Sequence, residues 1–265
     1  MLIFSLLAYV VIGMGSGLLA GLLGMSGGVI TVPCLLFVFT RLGFPPGELM
    51  QLAIGTSLAA MVFNALSSTY SHNKSGVVNW KLVRKMVPGL ILGCIVGSYA
   101  GHILPNRVLQ IIFAVFAILL GFYFFRHQEL HHASSFSLPK NPILNSYGFG
   151  VGALSNILGI GGGTMTIPLF VSFKIPLKTS VATSAATGFI TTLTGAISYL
   201  IFGLGETYYR HTFGYIYLPA FGILAVATFL AAPYGARMAH RMETDRLKKI
   251  FAISLFAVAI AMVFL

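Results

Sequence analysis

Apolar positions along the chain gather into ten runs separated by short polar breaks: about 2–23, 28–40, 49–71, 86–103, 107–125, 143–158, 163–173, 179–202, 215–233 and 248–265. Most approach the ~20 residues that carry a helix across a hydrocarbon core of about 30 Å. The runs at 28–40 and 163–173 are shorter, about 12 residues each. At about 1.5 Å of rise per residue they cover only about half to two-thirds of that core. The pattern predicts an all-α polytopic membrane protein, one membrane domain over 1–265. The apolar start, Met1 to Leu23, has no basic leader and no convincing small-residue cleavage site, so it reads as a retained membrane helix.

The runs are organised as two copies of one unit. Setting Gly13–Pro33 against Gly148–Pro168 gives identity at ten of 21 positions, among them Gly13/Gly148, Gly17/Gly152, Gly24/Gly159, Gly27/Gly162, Gly28/Gly163, Thr31/Thr166 and Pro33/Pro168. The correspondence continues with Thr56-Ser57 opposite Thr183-Ser184, Gly76-Val77-Val78 opposite Gly214-Tyr215-Ile216, and Arg107 opposite Arg246. Internal duplication of this kind is common among membrane transporters. The expected division is a first repeat over about 1–125, a linker over 126–142 and a second repeat over about 143–265, each with five helical segments.

Composition agrees with the pattern: of 265 residues 57% are hydrophobic and 8% charged, and mean hydropathy is +0.92. Soluble domains carry about 25% charged residues. The net charge of +11, from 16 Lys and Arg against five acids, would suggest a nucleic-acid partner in a soluble protein. Here the basic residues fall in the breaks between apolar runs, where they set orientation, and no nucleic acid is implied.

Charge also decides how the copies are related. If the first two segments of each copy form a Gly-rich hairpin, each copy crosses an odd number of times and the copies are inverted. Lys74, Lys81, Arg84, Lys85, Arg126, Lys140, Lys174, Lys178, Arg237, Arg241, Arg246, Lys248 and Lys249 then lie inside, and only Arg41, Arg107 and Arg210 outside. If the two segments form one broken span, the split is 7 inside against 9 outside. The first arrangement obeys the positive-inside rule and the second does not. The expectation is therefore an inverted repeat with both termini outside.

Candidate chemistry centres on the glycine clusters Gly24-Met25-Ser26-Gly27-Gly28 and Gly159-Ile160-Gly161-Gly162-Gly163. Irregular backbone cannot face lipid, because each unpaired N–H costs several kcal/mol there; it must be buried in protein or line a cavity. Each cluster opens a short helix whose first N–H groups and dipole favour an anion. In the inverted arrangement the two turns meet near the midplane. The candidate substrate site is Ser26, Gly27, Gly28, Gly161, Gly162 and Gly163 with the hydroxyls of Thr56, Ser57, Thr183 and Ser184 and the carboxamide of Asn156; Asn64 is a further candidate. Gly13, Gly15, Gly17, Gly148, Gly150 and Gly152 read as places of close helix packing.

The acids, Glu48, Glu129, Glu206, Glu243 and Asp245, and all seven histidines fall in loops or at segment ends. No mid-span carboxylate or imidazole offers a proton relay or a cation site, and no mid-span Lys or Arg offers a counter-charge. Catalysis would need a nucleophile with a base, or a metal, so no enzyme, metal or cofactor is expected. Cys34 and Cys94 lie in apolar runs without metal-ligand spacing and read as small buried side chains. The histidines at 127, 131 and 132 read as a solvated linker.

Two stretches, Gly17 through Gly21, Gly24, Gly27 and Gly28 to Thr31 and Pro33, and Gly152 through Asn156, Gly159 and Gly161-Gly162-Gly163 to Pro168, followed by Gly55-Thr56-Ser57 and Ala182-Thr183-Ser184, resemble the sulfite exporter TauE/SafE family. The resemblance covers essentially the whole chain. It departs at Ser26, where the first motif has serine in place of the third glycine. It implies a secondary transporter of the inner membrane for a small sulfur oxyanion such as sulfite or an organosulfonate, with about eight membrane helices. The expected partners are that anion, membrane lipid and a coupling proton or ion. An uncoupled anion channel on the same scaffold is the alternative.

Overall fold

The computed structural model describes residues 2–23, 27–126, 141–206, 210–239 and 244–264. In chain order the elements are α1 (Leu2–Leu23), α2 (Gly28–Arg41), α3 (Leu49–Lys74), α4 (Trp80–Ile103), α5 (Asn106–Arg126), α6 (Asn141–Leu158), α7 (Gly163–Ser172), α8 (Leu177–Phe202), β1 (Thr212–Phe213), β2 (Ile216–Tyr217), α9 (Leu218–Ala239) and α10 (Thr244–Phe264). Six helices are long and apolar enough to cross a membrane: α1, α3, α4, α5, α8 and α9. The protein is an all-α polytopic membrane protein.

Two boundaries differ from the hydropathy pattern. Helix α4 begins at Trp80 and not near 86, because Asn79 caps it, its side chain accepting the Leu82 N–H at 3.1 Å, so Lys81, Arg84 and Lys85 form its polar first turns. The run that begins at 215 opens with β2, paired antiparallel with β1 just before it, and α9 starts only at Leu218. The 126–142 linker lies largely outside the described residues, as do the histidines at 127, 131, 132 and 240.

Helix α3 is buried on all sides from Leu49 to Met61, which is what an apolar helix without a polar face requires. It packs on α8, and the two form the centre of the molecule. Around them the contacts are reciprocal: α6 packs on α4 as its sequence counterpart α1 packs on α9, and α5 packs on its counterpart α10. The α4–α6 contact is backbone to backbone, with Gly89, Gly93 and Gly97 of α4 against Asn145, Phe149 and Ala153 of α6, and Gly148 and Gly152 of α6 against Met86 and Leu90 of α4. In the α1–α9 contact Gly13 and Gly17 meet Ala227 and Thr228. Small residues at this spacing let membrane helices approach closely. Gly15 and Gly150 do not share that role: a methyl group on either would meet nothing within 4 Å, because both point away from the partner helix. Large apolar side chains such as Leu7 and Val11 on α1, Leu92 on α4, Leu119 and Phe122 on α5 and Leu230 on α9 cover the outside, the expected surface for contact with lipid.

Candidate functional site

The two glycine clusters open their helices with the same hydrogen bonds, although Gly27 is left-handed and Gly162, at φ −53°, is right-handed. Gly27 sits at φ 59°, and its carbonyl accepts the N–H groups of Ile30 and Thr31 and the Thr31 hydroxyl. The Gly162 carbonyl accepts the N–H groups of Met165 and Thr166 and the Thr166 hydroxyl at 3.0 Å. Gly159 and Gly161 have φ of 67° and 65°, a left-handed backbone that side chains disfavour. The turns touch. A Cβ on Gly28 would lie 2.7 Å from the Gly159 carbonyl oxygen and 2.8 Å from Ile160 Cα, so only glycine allows the crossing. Ser57 ties α3 to it by donating to the Gly159 carbonyl at 3.2 Å. Ser26, with Gly24 and Met25, lies outside the described residues.

Thr56 and Thr183 occupy matching positions and make matching bonds. Thr56 Oγ1 accepts the N–H of Tyr217, the residue before α9, at 3.0 Å. Thr183 Oγ1 accepts the N–H of Asn79, the residue before α4, at 3.1 Å. Each therefore anchors the start of the fourth helix of the opposite copy and keeps its own O–H to donate. Both side chains are fully buried.

Helix α8 runs along the second turn with one polar face. Ser184 donates to the Gly163 carbonyl at 2.9 Å and pairs with Thr166 at 2.7 Å. Thr187 lies 3.4 Å from Thr166 Oγ1. Thr191 Oγ1 accepts the Gly162 N–H at 2.7 Å. Further along, Gly195 lies against the carboxamide of Asn156, whose own backbone carbonyl accepts the Tyr199 hydroxyl at 3.0 Å. Sequence reasoning missed Thr164, Thr166, Thr187, Thr191 and Tyr199. The signal for most of them was present in the spacing Ser180, Thr183, Ser184, Thr187, Thr191, one polar stripe on an otherwise apolar helix.

This interior holds hydroxyls and amides that burial leaves short of partners. Asn156 is 0% exposed, and neither atom of its carboxamide makes a well-formed hydrogen bond; the weak thiol of Cys94 is beside it. Thr164 is likewise 0% exposed with its hydroxyl unpaired. Buried polar groups are nearly always satisfied, so such exceptions call for a partner such as water or a solute; Gln51, Ser98 and Asn145 carry further unpaired atoms elsewhere. The arrangement offers donors without a fixed charge, a set suited to a partly dehydrated anion. Among the described residues no three His, Cys, Asp or Glu side chains gather as metal ligands, and both cysteines are free.

Charge lies at the two ends. At one, Lys81 and Lys178 line a shallow groove with Val77, Asn79 and Thr179. At the other, His102 pairs with the Tyr215 hydroxyl at 3.0 Å, near Glu48 and Glu206. Partial burial raises the Glu48 carboxyl above the usual carboxylate range; Glu206 raises it further and His102 opposes the shift. The Tyr215 phenol, partly buried and facing both carboxylates, is pushed up to about 12.

Helices long enough to cross the bilayer, an apolar exterior and a buried polar turn between two short helices define a multi-pass membrane protein built around a polar interior. The model of the family described as sulfite exporter TauE/SafE matches residues 9–262, and the chain belongs to that family. It is 31% identical to a probable membrane transporter protein of Haemophilus influenzae over 97% of both chains. It is 28% identical to one of Methanocaldococcus jannaschii, covering 90% of this chain and 88% of that one. It is 27% identical to the probable membrane transporter protein YunE of Bacillus subtilis over 98% of both. No solved structure matches the chain. The relatives are named as probable membrane transporters, and the protein is a membrane transporter of this family.

Proposed function

We propose that the protein is a secondary transporter that moves a small sulfur-containing anion, sulfite or an organosulfonate, across the inner membrane by alternating access. The site is placed at the crossed glycine turns near the midplane. There the N–H groups of Gly28 and Gly163, with the carboxamide of Asn156, replace part of the anion's hydration shell, while Ser57 and Ser184, whose hydroxyls donate to the Gly159 and Gly163 carbonyls, hold the turns in place. The observation that carries this reading is a fully buried polar lining of hydroxyls and amides that includes no lysine, arginine, acid or histidine among the described residues. Such a lining can donate to an oxyanion and includes no carboxylate to neutralise a bare cation.

The proposal includes inversion of the two copies, about 1–125 and 143–265, with both termini outside. Helix directions support it. Gln51 donates to the Leu104 carbonyl at 3.0 Å, so α3 starts where α4 ends, whereas Lys178 and Thr179 line a groove with Asn79 and Lys81, so α8 starts where α4 starts. Counterpart helices α3 and α8 thus run in opposite senses, as in transporters whose halves rock about a shared site.

Flux of radiolabelled sulfite into proteoliposomes, with and without an imposed pH gradient, tests the reading. Saturable uptake competed by sulfoacetate is expected. Uptake linear in concentration and indifferent to any gradient identifies the anion channel, and no flux of any sulfur anion removes the substrate assignment.

A further inference from the structure

The two glycine turns are alike in sequence but not in what stands over them. In the first copy Met61 of α3 lies over the start of α2: a Cβ on Gly28 would be 2.7 Å from Met61 Cε. The counterpart of Met61 is Gly188 on α8, since Thr56-Ser57 match Thr183-Ser184 in register. A methyl group on Gly188 would have as nearest neighbours the amide nitrogen and Cα of Gly163, at 3.6 and 3.8 Å. A side chain therefore fills the space over the first turn, and none fills it over the second.

What borders that space differs in the same sense. The first N–H groups of a helix have no partner within it. Those of Gly163 and Thr164 have none outside it among the described residues either. The Thr164 hydroxyl, fully buried and unpaired, belongs to the same first turn, and a helical Cα–Cβ bond tilts toward the N-terminus, which brings it to the same end of α7. Its counterpart in the first copy is Val29. Along the facing helix, Thr187 replaces Ala60; on α6, Asn156 replaces Gly21. At these three positions the second copy carries a donor where the first has glycine or an apolar side chain.

We infer that the solute site is single and one-sided: an oxyanion is held at the start of α7, in the space that Gly188 leaves over the Gly163 N–H, with the Thr164 hydroxyl as a second donor. Met61 closes the equivalent position of the first copy. Space for one methyl group over a free amide takes one oxygen of a pyramidal or tetrahedral oxyanion, at about 2.9 Å from the nitrogen. The first turn then serves as packing for the crossing and not as a ligand. This assignment rests on the anion-transport reading and narrows it to one copy.

Three variants of the full chain, purified in detergent, test the inference, with sulfite as the probe and sulfate, sulfoacetate and chloride in parallel. Binding is read as the shift of the thermal unfolding midpoint with anion concentration. Gly188→Ala fits at ordinary contact distance, so its midpoint without anion stays at the wild-type value, while sulfite binding weakens about ten-fold or more as the methyl takes the oxygen's place. Thr164→Val removes a hydroxyl that has no partner in the fold; it raises the midpoint without anion or leaves it unchanged, and weakens sulfite several-fold. A role in folding alone would lower the midpoint and leave binding intact. Met61→Ala binds sulfite within two-fold of wild type. Gly188→Ala and Thr164→Val binding as wild type does, or Met61→Ala losing as much as Gly188→Ala, overturns the one-sided site while leaving anion transport standing. A wild type that responds to no anion of the set overturns both.

Discussion

Thr183 joins two parts of the chain that are 104 residues apart, and its side chain oxygen is the acceptor for the Asn79 N–H at 3.1 Å. Asn79 in turn caps α4 and lines the groove with Lys81 and Lys178. Replacing Thr183 by valine takes the acceptor from a part-buried N–H, a cost of about 1 kcal/mol. Thr183→Val is expected to lower the unfolding midpoint by several degrees, and Thr183→Ser, which restores the acceptor, to recover most of it; thermal unfolding followed by loss of soluble monomer on size exclusion reads both. The same pair was legible in the sequence as a repeated Thr-Ser, but only as a candidate for touching solute. That each threonine instead reaches the start of a helix in the other copy depends on a crossing of chains that no local pattern encodes. Asn156 is the opposite case: the sequence offers it as a candidate to touch solute, and the structure leaves its carboxamide without a well-formed hydrogen bond.

The helices were legible as elements because apolar length is a strong signal, and the glycines of α4 and α6 show where that signal ends. Gly148 and Gly150 look identical in sequence, two residues apart on one helix. Gly148 packs with a would-be Cβ 2.7 Å from the Met86 carbonyl oxygen, while Gly150 faces open space. Which of two neighbouring glycines meets a partner depends on helix rotation, and that is fixed by tertiary packing alone. Gly93→Leu puts a side chain where the backbone of Phe149 already lies, and overpacking of this kind costs about 1–3 kcal/mol even where side chains can yield. Gly150→Ala adds a methyl to an unoccupied side and gains helix propensity of about 1 kcal/mol. In a detergent stability assay Gly93→Leu is expected to give little folded monomer and Gly150→Ala a midpoint at or above wild type. Equal behaviour of the two would mean that α4 and α6 do not pack through these glycines. The start of α4 and the ribbon before α9 were missed for a related reason: an Asn cap and two short strands are decided by a few hydrogen bonds, below the resolution of a hydropathy window.

Across the whole molecule the charged ends differ. The end with Lys81 and Lys178 gathers Lys74, Arg84 and Lys85 on the adjoining turns of α3 and α4. The opposite end holds Glu48, Glu206 and His102, and Arg107, which reaches the Val263 carbonyl at 3.0 Å. A membrane that retains basic loops on its cytoplasmic side orients such a body one way. In a background with Cys34 and Cys94 replaced by alanine, Lys81→Cys and Lys178→Cys are expected to react with a membrane-impermeant maleimide only in inside-out vesicles, and Arg107→Cys only in right-side-out cells. Lys81 and Lys178 belong to different copies, at the start of α4 and the start of α8. Two copies inserted in the same sense would place the start of α8 level with the start of α3, which is the end of Arg107. Labelling of position 178 together with 107 therefore contradicts inversion, whereas labelling of 178 together with 81 supports it.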